Sequence, residues 1–162
     1  SLKIIQHDLS NGIPFNSNTI TEIITSHYLE HNEKLDYLFE EIYRVLKKKS
    51  KFEIIIPYAN SAEGMYPGHN IFFTEKWFQN SLVFSKYFNI KEFIFYETDE
   101  YSKEKKKINK FFSFNEARVL LFNCCNQLQI ISYKKDQEEV NNLQAKIHYK
   151  HVTLDGKVID LC

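Results

Sequence analysis

The sequence predicts an α/β fold built on a doubly wound sheet, and three stretches carry that reading. Ile20–Ser26 (ITEIITS) is rich in β-branched residues and reads as a strand. Over residues 32–48, Leu35, Leu38, Phe39, Ile42, Val45 and Leu46 recur at helical spacing, with lysines crowding the C-terminal end where the helix dipole favours cations. Residues 52–57 (FEIIIP) form a second strand, apolar enough for a sheet covered on both faces. Strand, helix and strand in this order is the alternation that gives parallel pairing.

The remaining elements follow in order. Residues 2–6 are a short apolar run that predicts a strand ending at the turn-rich His7-Asp8-Leu9-Ser10-Asn11-Gly12, and it is expected beside the other two strands. Residues 58–70 are a polar loop with Gly64, Pro67 and Gly68. Thr74 then reads as the N-cap of a helix with Trp77, Phe78 and Leu82 on its apolar side. Residues 90–97 and 128–133 alternate in strand fashion. The charged stretch between them, with the run Lys103 to Lys110 (KEKKKINK), reads as a solvated loop because neither Arg nor interleaved aromatics accompany the lysines. Residues 111–123 are a short helical or irregular segment, and 136–147 predict a helix. Asp155-Gly156 between two alternating runs predicts a type I′ hairpin over 152–159.

Composition narrows the function classes. The 162 residues carry 21 basic and 21 acidic side chains, so nothing global favours nucleic acid or an anionic membrane. No apolar run is long enough to span a bilayer, and the N-terminus lacks a signal-peptide pattern. Cys124, Cys125 and Cys162 form neither a disulfide framework nor a zinc motif, which points to free thiols and a cytoplasmic location. His148 and His151 fall three apart in a strand-like stretch and would face opposite ways, so the spacing shows no metal site.

Several short motifs occur together in one order. Asp8 precedes Ile13-Pro14-Phe15, Leu29-Glu30-His31 follows the strand at 20–26, and Arg44-Val45-Leu46-Lys47 closes the first helix. As a set they resemble the class I S-adenosylmethionine-dependent methyltransferase family, type 11-like, over about residues 1–133, which would make this chain its C-terminal portion. The family's glycine-rich cofactor loop is not among these residues, and its Pro-Gly-Gly turn after the Arg-Val-Leu-Lys motif is replaced by Lys48-Lys49-Ser50. The resemblance implies a partial Rossmann-like methyltransferase sheet, mostly parallel with an antiparallel last strand. A truncated domain over 1–135 would be followed by a helix and hairpin extension over 136–162.

The resemblance also implies roles. Asp8 and Leu9 would meet the adenine of S-adenosylmethionine, the carboxylate accepting from its amino group. Ser26 and His27 would lie under the methionine end. His31 and Tyr58 would stand on the substrate side. His69, in the loop MYPGHNIFF, would take the proton from an acceptor hydroxyl or amine during methyl transfer. Three alternatives account for the absent glycine loop: a fragment, a natural truncation, or a sheet completed by another chain. The expected function is methyl transfer to a small-molecule or sugar-linked acceptor when the upstream cofactor-binding half is supplied; the surface-polysaccharide-like loop pattern at 57–73 is one hint at the acceptor. The alternative is a non-catalytic interaction module on the same scaffold. Either way, an open strand edge implies a homodimer or a hetero-partner.

Overall fold

A computed structural model describes residues 4–148, 152–154 and 157–159. In chain order the elements are β1 (Ile20–Ser26), α1 (Leu35–Val45), β2 (Leu46–Pro57), α2 (Glu75–Asn80), α3 (Leu82–Tyr87), β3 (Phe88–Glu97), α4 (Asp99–Ile108), α5 (Phe114–Leu120), β4 (Cys125–Lys134), α6 (Gln137–His148), β5 (Val152–Leu154) and β6 (Lys157–Ile159). Single 3-10 turns occur at Leu9–Asn11 and Leu29–His31.

The main sheet has the order β1-β2-β4-β3. β1 and β2 are parallel, with Ile23 opposite Phe52 and Thr25 opposite Ile54. β4 runs antiparallel to both β2 and β3, so three strands share one direction and the last strand lies inverted between two of them. This is the mostly parallel, antiparallel-last-strand sheet expected. β5 and β6 pair antiparallel as the expected hairpin, whose Asp155-Gly156 turn lies outside the described residues. His148 ends α6 instead of lying in a strand, and His151 is outside the described residues.

The core is aromatic. Phe39 of α1 is fully buried and meets Phe52, Phe84 and Phe88 edge-on at centroid distances of 6.3, 5.3 and 6.3 Å. Phe52, Ile54 and Ile56 of β2 join Leu128 and Ile130 of β4 on the same buried face. The opposite face is half-covered and mixed, with Ile55 and Ile131 beside Glu53 and Gln129, contrary to the expectation of burial on both sides. Glu53 there takes Lys51 at 2.9 Å and the Gln129 amide at 2.6 Å. Phe52, Ile54 and Ile56 are fully buried while Glu53 and Ile55 between them are only partly covered, the pattern of a sheet with one face more open than the other.

Four local expectations change. Residues 4–8 form no strand, and Ile4 is almost wholly exposed; residues 2 and 3 lie outside the described part. Among the described residues the arm has no ladder to join, and its His7 Nε2 instead bonds the Gly12 carbonyl at 2.9 Å. The helix after Thr74 is two short helices: Thr74 makes no side-chain cap, whereas Ser81 restarts the chain by accepting from the Phe84 N–H. The lysine-rich stretch is helical, because Thr98 caps α4 at the Tyr101 N–H and Lys105, Lys106 and Lys107 occupy its last turn. α1 ends at Val45, not Lys48.

That last change has a physical cause. Leu46 is fully buried and extended, and its carbonyl accepts from the Lys134 ammonium at 2.6 Å. Lys134 also bonds Asn18 and sits 4.3 Å over the Tyr43 ring, so an ammonium from β4 closes the helix C-terminus. β2 then bulges between its pairings at Leu46 and Lys51, and Lys49 takes φ 59° there. A lysine thus stands in a left-handed conformation that favours glycine. Lys49→Gly is expected to stabilise the fold by about 1 kcal/mol, the scale of the left-handed penalty for a side chain, less the extra chain entropy of glycine. Urea unfolding checks this; a loss of stability would show that the bulge is set by another constraint.

Candidate functional site at the carboxyl ends of β1 and β2

Parallel pairing brings the ends of β1 and β2 to one edge of the sheet. The His27 N–H continues the ladder to the Ile55 carbonyl at 2.9 Å. Antiparallel β4 starts at that edge, where the Tyr58 N–H meets the Asn126 carbonyl at 2.8 Å. Segments leaving these ends build the site: the turn at Leu29–His31 after β1, and the loop over 59–72 after β2.

The loop is folded back by its own polar groups. The Ser61 hydroxyl donates to the Tyr58 carbonyl at 2.7 Å and accepts from the Gly64 N–H at 2.8 Å. A Cβ on Gly64 would lie 2.0 Å from the Tyr58 carbonyl oxygen, so only glycine fits this approach. The loop then clips to the turn. The Glu30 carbonyl accepts from the Asn70 and Ile71 N–H groups at 2.8 and 3.2 Å, and the Asn70 amide donates to the His31 carbonyl at 3.1 Å.

Three histidines and a carboxylate converge there. His31 Nδ1 lies 2.9 Å from the Gly68 carbonyl, and His69 Nδ1 lies 3.0 Å from the Gly64 carbonyl. A carbonyl only accepts, so each Nδ1 carries the proton and each Nε2 of the neutral ring keeps a lone pair. The two rings meet edge-on with centroids 4.9 Å apart. His27 sits at φ 49°, a left-handed backbone for a bulky residue at the strand end. Its Nε2 contacts the Gln127 amide nitrogen at 2.7 Å, which places its own proton on Nδ1, facing Glu30 at 3.6 Å and Glu63 at 3.8 Å. Glu30 is 1% exposed, and neither carboxylate oxygen has a hydrogen-bond partner among the described residues. Glu30, His31 and His69 each offer one ligand atom, and these atoms all lie within 4.8 Å of one another.

The other named residues lie elsewhere. Asp8 is exposed and caps the 3-10 turn, its Oδ1 accepting from the Ser10 N–H at 2.9 Å; that bond holds the carboxyl below the usual carboxylate range. Leu9 lines an apolar groove of about 420 Å³ with Ile13, Ile23, Thr25 and Tyr28. Ser26 is exposed at the end of β1. Tyr58 is not free on the substrate side. It is 2% exposed, and its hydroxyl lies 3.1 Å from Glu75 Oε2 and 2.9 Å from Arg118.

Arg118 also bonds Glu75 at 2.8 Å and stacks 3.8 Å over the Phe95 ring, which makes a buried, paired charge beneath the loop. Burial opposes ionisation of Glu75, but the Arg118 guanidinium outweighs it and holds the carboxyl below its ordinary range. Burial, with the Glu75 charge, pushes Tyr58 up to about 12. Sequence reading missed this trio because its members stand far apart in the chain and none belongs to a short motif. Glu30 was legible only as part of Leu-Glu-His, without its role.

Residues 1–54 match the family model described as a methyltransferase domain. No curated protein matches the chain in sequence. Among solved structures, the YcgJ protein from Bacillus subtilis is similar at 16% identity and a TM-score of 0.52, over 81% of this chain and 70% of that one. A Bacillus halodurans protein assigned as a methyltransferase gives 13% and 0.53 over 84% and 78%. A SAM dependent methyltransferase from Archaeoglobus fulgidus gives 18% and 0.51 over 75% and 62%. At these identities the likeness is one of fold.

The buried trio gives a pH prediction. A tyrosine whose folded pKa is raised adds stability that is fully present below its unfolded value near 10 and is lost as pH rises through about 12. Denaturation between pH 9 and 12 is expected to show this loss, and Tyr58→Phe to flatten it. An equally steep fall in the variant would assign the loss to other groups.

Proposed function

We propose that this methyltransferase-like chain, matched to the methyltransferase domain over residues 1–54 and built on that fold, transfers a methyl group from S-adenosylmethionine to a small-molecule or sugar-linked acceptor. The observation that carries the reading is the His69 imidazole, held by the Gly64 carbonyl with Nε2 unprotonated at the carboxyl edge of the sheet. Open α/β sheets bind their ligands at that edge.

The residues fit the adenine end of the cofactor. The groove at Leu9, Ile13, Ile23 and Tyr28 offers apolar walls for a flat ring, and Asp8 beside it offers a carboxylate acceptor for an amino group. The Leu9 N–H serves a ring nitrogen, and Ser26 and His27 lie toward the methionine end. Bound S-adenosylmethionine supplies an electrophilic methyl group on a positively charged sulfur. His69 Nε2 receives the acceptor's proton, and the Gly64 carbonyl stabilises the imidazolium that results. His31, edge-on to His69, bounds the space the acceptor enters. In this reading the glycine-rich loop comes from outside these 162 residues. Residues 1–135 form the α/β domain, and 136–162 an extension to it.

The same reading assigns a partner to β1. Among the described strands it pairs only with β2, and Ile24 is more than half exposed. A further strand on that edge, from a homodimer or a hetero-partner, satisfies its free N–H and C=O groups. Light scattering is expected to give a species larger than one chain; a monomer at all accessible concentrations counts against it.

His69→Ala is expected to lower turnover by about 100-fold or more with cofactor affinity unchanged. Asp8→Ala is expected to weaken cofactor binding by about 1–2 kcal/mol, the scale of one hydrogen bond to a charged group. Both are measured on the native polypeptide, as S-adenosylhomocysteine formed with a panel of hydroxyl and amine acceptors and as calorimetric binding. An unchanged rate per folded molecule removes His69 from the reaction. A native polypeptide that binds no S-adenosylmethionine is the non-catalytic module.

A further inference from the structure

Glu30 is the unusual group of this molecule. A carboxylate 1% exposed with both oxygens unbonded among the described residues is costly to keep in a folded protein unless a positive charge faces it. The groups that face it are imidazoles: His27 Nδ1 at 3.6 Å and His31 Nε2 at 4.0 Å from Oε1. These are too long for hydrogen bonds. Each Nδ1–H of His31 and His69 is taken by a loop carbonyl, so Nε2 is the nitrogen each ring has left to bind an ion. An imidazole whose far N–H is held by a backbone carbonyl is the arrangement that orients a metal-ligating histidine.

We propose that Glu30, His31 and His69 bind one divalent transition-metal ion. Two imidazole nitrogens and one carboxylate oxygen suit zinc, cobalt or nickel, whereas magnesium and calcium take oxygen ligands. The three ligand atoms lie within 4.8 Å of one another. Closing on an ion with bonds of about 2.1 Å draws them in by about 1 Å or more. Exposed His31 has room to make that movement, while Glu30 is fixed by the hydrogen bonds its carbonyl receives from Asn70 and Ile71. His27, with Nδ1 3.6 Å from the same carboxylate, stands beside the three without bonding Glu30. Three protein ligands leave a coordination place for water or for an oxygen of a bound molecule.

The ion takes the Nε2 lone pair of His69, the one the proposed methyl transfer gives to a proton, so the two uses exclude each other at that atom. The metal proposal stands on geometry alone and is tested without methyl transfer. The tag-free chain, stripped with a chelator, is titrated with cobalt(II). Visible d–d absorption is expected to grow and stop at one equivalent, with a rise in melting temperature. Glu30→Gln, His31→Asn and His69→Asn are each expected to weaken binding at least 10-fold, the scale of losing a ligand or its support, and His7→Ala to leave it unchanged. Circular dichroism of each metal-free variant verifies the fold. The proposal is overturned by no absorption at millimolar cobalt, by several weak equivalents indifferent to the three substitutions, or by an equal loss in His7→Ala. A chain that transfers methyl groups yet binds no cobalt(II) under these conditions would overturn the metal site and leave the proposed function standing.

Discussion

Two backbone carbonyls, those of Gly64 and Gly68, decide what the edge of this sheet can do chemically. Each accepts from the Nδ1–H of a histidine and so leaves an unprotonated Nε2 free in the neutral ring. Their positions depend on a chain of smaller constraints. Ser61 tightens the start of the loop, Gly64 allows its backbone to pass over Tyr58, and Asn70 ties its end to the Leu29–His31 turn. Beneath the loop, the Arg118–Glu75 pair fixes the Tyr58 hydroxyl and so anchors the strand end from which the loop departs. Among the described residues a few buried side-chain atoms lack a hydrogen-bond partner, and Glu30 is the group with both of its oxygens among them. That contrast makes Glu30 the point at which the molecule is poised to receive something.

A second constraint explains why the short motifs at the start of the chain occur together. Arg44, near the end of α1, donates to the carbonyls of Ile13 and Phe15 at 2.9 Å each and pairs with Glu41 at 2.6 Å. Glu41 in turn accepts from the Ile13 N–H. The Ile-Pro-Phe turn and the Arg-Val-Leu-Lys helix end are therefore two halves of one clamp. It holds the segment after Asp8 against the helix and forms the wall of the apolar groove with Leu9 and Ile13. A match over residues 1–54 thus reflects a local structure as well as a pattern of letters.

Much of the fold was legible in the sequence because its strands and first helix announce themselves by period. Ile20–Ser26 appears as expected, and residues 52–57 fall inside β2. What escaped was decided by distant partners. The lysines after Val45 are extended because Lys134, far along the chain, caps the helix end at Leu46. Residues 103–110 show the opposite case, where local capping by Thr98 and the lysines in the last turn outweigh the look of a solvated loop. At the site, His27, His31 and His69 were individually visible. Their convergence was not, since a loop closure of several dozen residues brings His69 to Glu30. The Tyr58–Glu75–Arg118 trio was hidden for the same reason.

The claim on which both the proton-accepting and the metal-binding uses rest is the tautomer of two imidazoles. Long-range proton–nitrogen NMR correlation on the ¹⁵N-histidine-labelled, metal-free chain reads it directly. The account predicts that neutral His31 and His69 both carry their proton on Nδ1, with Nε2 showing the shift of an unprotonated nitrogen. Protons on Nε2 of either ring would mean that the loop carbonyls do not hold the imidazoles as described, and would contradict the site at its foundation.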